Sequence, residues 1–191
     1  MCWGRGPPDM PHREALEITQ RITVLQGEVK VSADPAVEFT TVLGSCVTTC
    51  LFDPQARIGG MNHFLLAEPP SHHSSQAFDV HYGVYLMELL INEMLAGGAR
   101  KDRLKGRLYG GANLHTGMQQ IGTVNASFAR NFLIKEGIPL MHEELGGTSA
   151  RRVHFLPASG RVRCRATEAR IASTIVQARR PASATGEVEL F

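Results

Sequence analysis

A cysteine at position 46 and a histidine at position 63 flank a turn signal in the stretch LGSCVTTCLFDPQARIGGMNHF, Leu43 to Phe64. A thiol beside an imidazole is a minimal unit for attacking a carbonyl carbon: the ring takes the proton and the sulfur becomes the nucleophile. Asp53-Pro54-Gln55-Ala56 suits a four-residue turn, with Asp at its first position and Pro at its second, so the hairpin centre falls between Pro54 and Gln55. Facing residues then have numbers summing to 109, as 46 and 63 do. Cys46 is therefore expected opposite His63, on one sheet face, with Cβ atoms about 5 Å apart. A bulge at Gly59-Gly60 would shift the register by one and turn His63 to the other face. The competing reading is plain core, because cysteine is among the most buried residue types and a strand histidine is commonly a satisfied structural group. Gly44-Ser45 favours chemistry: a sharp bend there exposes the sulfur and turns backbone N–H groups outward, as an oxyanion site requires.

Other groups offer less. Cys50 shares the alternation of Cys46 but faces Gly59 by the same sum, with no base to activate it, and reads as core. A zinc site from Cys46, Cys50 and His63 lacks a fourth ligand, since no second Cys or His pair stands at ligand spacing, so no metal is expected. His72 and His73 fall in a polar loop, His81 on a helix, His115 in a loop and His142 in a strand, none with a partnered cysteine. YGGANLHTG lacks the spacing of a phosphate-binding loop and reads as a tight turn before a helix.

The elements that position the pair follow from periodicity. ITVLQGEVKVS and AVEFTTVL read as two strands flanking an ADPA turn. DVHYGVYLMELLINEMLAGGA reads as a helix capped by Asp79, with Val80, Val84, Met87, Ile91 and Leu95 inward and Gly97-Gly98 as its stop. Gly83 weakens that helix slightly. RLKGRLYGGAN is a short strand, and a second helix spans about Thr123 to Glu136 with Val124, Phe128, Phe132 and Leu133 inward. IPLMHEELGG is a further strand, and RRVHFLPASGRVRCRA is a hairpin with Val153 and Phe155 on one arm and Val162 and Cys164 on the other. Hairpin-joined strands with two inserted helices imply an α/β layer protein with a mixed, largely antiparallel sheet, its helices on one face.

Bulk properties agree with that reading. A chain of 191 residues fits one domain, expected over residues 21–170, with an extension at 1–20 and a helix end or flexible tail at 171–191. No apolar run approaches the roughly 18 residues of a membrane span, and the first residues lack the apolar core of a secretory signal. Cytoplasmic residence is expected. Four scattered cysteines argue against a disulfide framework. A net charge of +2 does not point to nucleic acid, and the arginines from Arg151 to Arg180 alternate with apolar residues, as on a wet strand face.

Taken together, LGSCV, CLFDPQARIGGMNHFLL, LLINEML, GGANL, IGTVN and the late LGG and GRVR make the chain resemble the bacterial CheD-type chemoreceptor glutamine deamidases, from about Ile22 to Arg165. The resemblance implies a three-layer α/β/β fold with two main helices. It implies cofactor-free hydrolysis of glutamine side chains on methyl-accepting chemotaxis receptors to glutamate, with ammonia released through a thioester. By position it makes Cys46 the nucleophile and His63 the base, and its third site residue, a threonine six before the cysteine, is Thr40. Six strand residues span roughly 20 Å, so Thr40 rests on the resemblance alone. Gly44 and Ser45 are expected to shape the site or supply oxyanion donors. The implied partners are the receptors, at their arrays, and a CheC-type phosphatase. The alternative is a binding module that docks on that phosphatase or on a receptor and regulates adaptation. Thr48-Thr49, Leu114 and the amino-terminal extension depart from the family pattern without touching Cys46 or His63.

Overall fold

The computed structural model describes residues 18–66, 80–114 and 121–167. Within them nine strands and two α-helices follow in the order β1 (Gln20–Thr23), β2 (Val29–Ser32), β3 (Val37–Leu43), β4 (Val47–Asp53), β5 (Ile58–Asn62), α1 (Val80–Ala96), β6 (Lys105–Gly110), α2 (Ile121–Lys135), β7 (Leu140–Leu145), β8 (Ala150–Leu156) and β9 (Arg161–Thr167). The strands form a five-stranded sheet ordered β2-β5-β4-β6-β7 and a four-stranded sheet ordered β1-β3-β8-β9. Pairing is antiparallel except between β1 and β3 and between β6 and β7.

Two cores make three layers. Leu86, Leu90, Met94, Ala129 and Leu133 of the helices bury against Val47, Leu51, Ile58 and Leu108 of the five-stranded sheet. Alternation sends Cys50, Met61 and Tyr109 of that sheet to its other face, onto Phe39, Leu43, Val153 and Phe155 of the four-stranded sheet. Phe39 and Phe155 meet there with ring centroids 6.4 Å apart. The architecture is thus α/β/β, as the resemblance implied.

Three local readings differ from the sequence pattern. ITVLQGEVKVS is two strands in two sheets, because Gly27 takes φ +86° and the Glu28 N–H closes a turn on the Leu25 carbonyl at 3.0 Å. The Asp34 turn then returns the chain to the four-stranded sheet, with the Ala36 N–H donating to Asp34 Oδ1 at 2.8 Å, so β2 and β3 do not form a hairpin. This double crossing lays Val24 and β3 over the end of β5.

The second difference is register. Cys50 faces Met61 and Asp53 faces Ile58, so facing numbers sum to 111. Asp53 Oδ1 accepts from the Gln55 and Ala56 N–H groups, and Arg57 adopts φ 53°, so the loop holds four residues. The third concerns α1, which buries Gly83, Leu86, Met87, Leu90, Ile91 and Met94 and leaves Val80, Val84 and Leu95 exposed. Gly83 has no room for a side chain on that face: a Cβ there would lie 2.5 Å from Leu66 and 2.8 Å from Phe128 of α2. In α2, Phe132 and Leu133 are buried as expected, while Val124 and Phe128 are partly so. The expected Asp79 cap, His72, His73, His115 and both chain ends beyond 18–167 lie outside the described residues.

Candidate active site

The sum of 111 moves His63 two residues from a position directly opposite Cys46, but it keeps the parity. Val47 pairs with Phe64, and continuing that register sets Leu65 across from Cys46, with His63 its diagonal neighbour on the same inter-sheet face. The ladder between them is opened by Asn62. Its fully buried side chain takes the Thr49 N–H on Oδ1 at 2.8 Å and donates from Nδ2 to the Leu86 carbonyl at 3.3 Å. Strand β5 therefore ends at Asn62, and the His63 backbone turns to the β1–β2 turn, donating to Glu28 O at 3.1 Å and accepting from Gly27 N–H at 2.7 Å.

His63 is buried at 7% exposure, and its ring is held from one side. Nδ1 lies 2.9 Å from Thr41 Oγ1 and 3.2 Å from the Val24 carbonyl, and the Thr41 hydroxyl itself donates to that carbonyl at 2.8 Å. A carbonyl only accepts and the hydroxyl proton is already committed, so we assign the ring proton to Nδ1. Nε2 is then a bare lone pair. It is buried and has no hydrogen-bond partner among the described residues. Burial lowers the His63 pKa from 6.5, with the Val24 carbonyl working the other way, so the ring is a neutral base at neutral pH.

Cys46 is partly buried at the edge of the inter-sheet core. Burial pushes its thiol up to about 11, opposed by its own backbone N–H. The thiol donates to Gln26 Oε1 at 3.6 Å and makes no hydrogen bond to His63. The resting pair is thus thiol and neutral imidazole, not the thiolate favoured by direct contact.

The loop carrying the sulfur is fixed by its carbonyls. Ala112 N–H donates to Gly44 O at 2.9 Å, Gly111 N–H to Cys46 O at 2.8 Å, and Asn125 Nδ2 to Ser45 O at 2.9 Å. Among the described residues, no backbone carbonyl takes the N–H of Ser45 or Cys46. The glycine motif is what allows this contact. Gly110 sits at φ +108°, and a Cβ there would lie 2.2 Å from the Cys46 carbonyl oxygen. Asn125, fully buried in α2, also accepts the Leu66 N–H at 2.9 Å and so ties the cysteine loop to the segment that follows His63.

Thr40 lies elsewhere. Alternation along β3 sends Phe39, Thr41 and Leu43 into the inter-sheet layer and Thr40 to the opposite face, where its buried Oγ1 has no partner among the described residues. The threonine on His63 is Thr41. Of the other histidines, His81 and His142 are exposed, with His142 against the Tyr109 ring at 5.9 Å. Among the described residues, no three His, Cys, Asp or Glu side chains are grouped to hold a metal ion, and no helix is long and apolar enough to cross a membrane.

A protein-family model described as CheD chemotactic sensory transduction matches residues 65–166. A probable chemoreceptor glutamine deamidase CheD of Zymomonas mobilis is 57% identical over 150 residues, 78% of this chain and 81% of that protein. The chain belongs to the CheD family. The protein of the same name from Caulobacter vibrioides is 48% identical over 185 residues, covering 94% of this chain and 98% of its own length. A Bacillus licheniformis hypothetical protein, YfiH, overlays at TM-score 0.41 with 12% identity over 60% of this chain and 49% of that one, too distant to carry an argument. The CheD family model begins just after His63, so it spans Asn125 and the Gly110-Gly111 support but neither member of the thiol–imidazole pair.

Thr41, Asn62, Asn125 and Gln26 escaped the sequence reading. Asn125 alone left a signal, an amide on the buried, small-residue face of α2 beside Gly122, Ala126 and Ala129.

Proposed function

We propose that this chain hydrolyses glutamine side chains of chemotaxis receptors to glutamate, with Cys46 as nucleophile and His63 as base. The observation that carries the reading is the bare, buried Nε2 of His63 on the same inter-sheet face as a partly exposed thiol. As the substrate amide enters, Nε2 takes the thiol proton and Cys46 Sγ bonds to the amide carbon. The proton then passes to the departing nitrogen, ammonia leaves, and a thioester remains. Water deprotonated by the same Nε2 cleaves it, giving the glutamate carboxylate and restoring the thiol. The Ser45 and Cys46 N–H groups, taken by no backbone carbonyl among the described residues, would receive the oxyanion. Thr41 holds the ring in the tautomer that leaves Nε2 free. The site of action would be the receptors' cytoplasmic bundle, where each new carboxylate alters charge repulsion between helices.

Purified protein incubated with a receptor cytoplasmic fragment should convert particular glutamines, seen peptide by peptide as the mass gain of amide-to-acid conversion. Cys46→Ala should convert none. Undiminished conversion by that variant would overturn the mechanism. No conversion by the unaltered protein on a folded receptor would favour a module that only docks, on the receptor or on a CheC-type phosphatase.

A further inference from the structure

Among the described residues, the one hydrogen-bond acceptor of the Cys46 thiol is a carboxamide, the functional group of the proposed substrate. Gln26 is exposed, at the tip of the Leu25–Glu28 turn. That turn is no loose loop: Leu25 N–H donates to Glu28 Oε2 at 3.0 Å, and both backbone bonds of His63 reach it, at Gly27 N–H and Glu28 O. The base and the turn that carries Gln26 are therefore fixed to each other. His63 is 7% exposed, and its buried Nε2 has no partner among the described residues.

We propose that the Gln26 carboxamide is an internal occupant of the substrate-amide subsite, a latch that holds Cys46 as a thiol until a receptor glutamine displaces it. Resting as it does on the nucleophile role of Cys46, this deepens the deamidase reading. A hydrogen bond from S–H to a carbonyl oxygen favours the neutral sulfur and draws its proton away from the ring. An incoming glutamine offers the same amide and replaces one such bond by another, so displacement loses little. A side chain without an amide leaves the latch closed. The latch thus contributes selectivity for carboxamides over other exposed groups and lowers the reactivity of an idle thiol.

The test is the rate of Cys46 alkylation by iodoacetamide, read by peptide mass across pH in the full chain. It needs no receptor and reports on the latch even if Cys46 is not the nucleophile. Gln26→Met keeps the length and removes the acceptor. Its alkylation at neutral pH should rise on the order of threefold to tenfold, the size of one net hydrogen bond, and its pH midpoint should fall by about half a unit to one unit. Gln26→Glu, whose carboxylate faces the sulfur, should slow alkylation and raise the midpoint. With receptor fragment, Gln26→Met should lower KM, because no internal amide competes. An unchanged or raised midpoint in Gln26→Met would overturn the latch, and faster alkylation with an unmoved midpoint would show a merely steric cover and overturn it too. Loss of receptor deamidation by the unaltered protein would instead overturn the deamidase reading.

Discussion

Replacing Thr41 by Val removes one hydroxyl and almost no volume, and the structure assigns that hydroxyl two roles. It donates to Val24 O at 2.8 Å and receives the His63 Nδ1 proton at 2.9 Å, in a site where Thr41 is 2% exposed. At roughly 0.5–1.5 kcal/mol for each net hydrogen bond, the variant should lose about 1–2 kcal/mol of stability, because Nδ1–H retains Val24 O at 3.2 Å and is not orphaned. The ring, however, loses the partner that fixes its tilt. A general base is worth about a hundredfold or more when aligned, and a loosened one should forfeit on the order of tenfold to a hundredfold in kcat with KM little changed. Thr41→Ser keeps the hydroxyl and should restore most of it. Thr40→Val is the control that separates the two threonines. Its Oγ1 is buried without a partner among the described residues, so its loss should leave stability equal or slightly higher and kcat unchanged. Steady-state deamidation of a receptor fragment, with denaturant unfolding of each variant, reads both quantities. An unchanged kcat in Thr41→Val, or the loss appearing in Thr40→Val instead, would refute the assignment.

Other expectations follow from the same geometry. Asn125→Ala leaves the Leu66 N–H and the Ser45 carbonyl unpaired in the interior and should cost about 2–5 kcal/mol by denaturant unfolding, with activity falling further than stability accounts for. Deamidation should keep its rate down to an acid limb below pH 6.5, because burial lowers the His63 pKa and the base stays unprotonated until then; a limb above 6.5 would indicate a thiolate–imidazolium pair. Burial alone would raise the Asp53 carboxyl, but the Arg100 and Ala56 N–H groups and the Arg103 guanidinium outweigh it and hold it at about 2. Its stabilisation is complete above its ordinary 3.8 and is lost as pH falls through about 2, so Asp53→Asn should cost about 2 kcal/mol at neutral pH and progressively less in acid.

Much of the layer architecture was legible because it rests on alternation and helical periodicity. The β8–β9 hairpin places Val153 opposite Cys164 and Phe155 opposite Val162, the residues the pattern set on its two arms. The shared face of Cys46 and His63 was also legible, since parity survives a two-unit change in the register sum. What could not be read were features that depend on contacts distant in the chain. Only tertiary packing shows that Gly83 packs against Leu66 and Phe128 on the buried face of α1. The passage of Leu25–Glu28 between sheets looks, in one dimension, like the middle of a strand. Thr41 and Thr40 are indistinguishable by composition, and which one meets His63 is decided by the pairing of β3 with β8 and the face that pairing turns inward.

Interception of the acyl-enzyme tests the central claim most directly. If Cys46 carries the glutamyl group as a thioester, hydroxylamine added during turnover should divert receptor glutamines to glutamyl hydroxamates at the expense of glutamate. Both products should disappear in Cys46→Ala, with its fold retained. Glutamate formed without hydroxamate, or hydroxamate formed equally by Cys46→Ala, would contradict nucleophilic attack by this thiol.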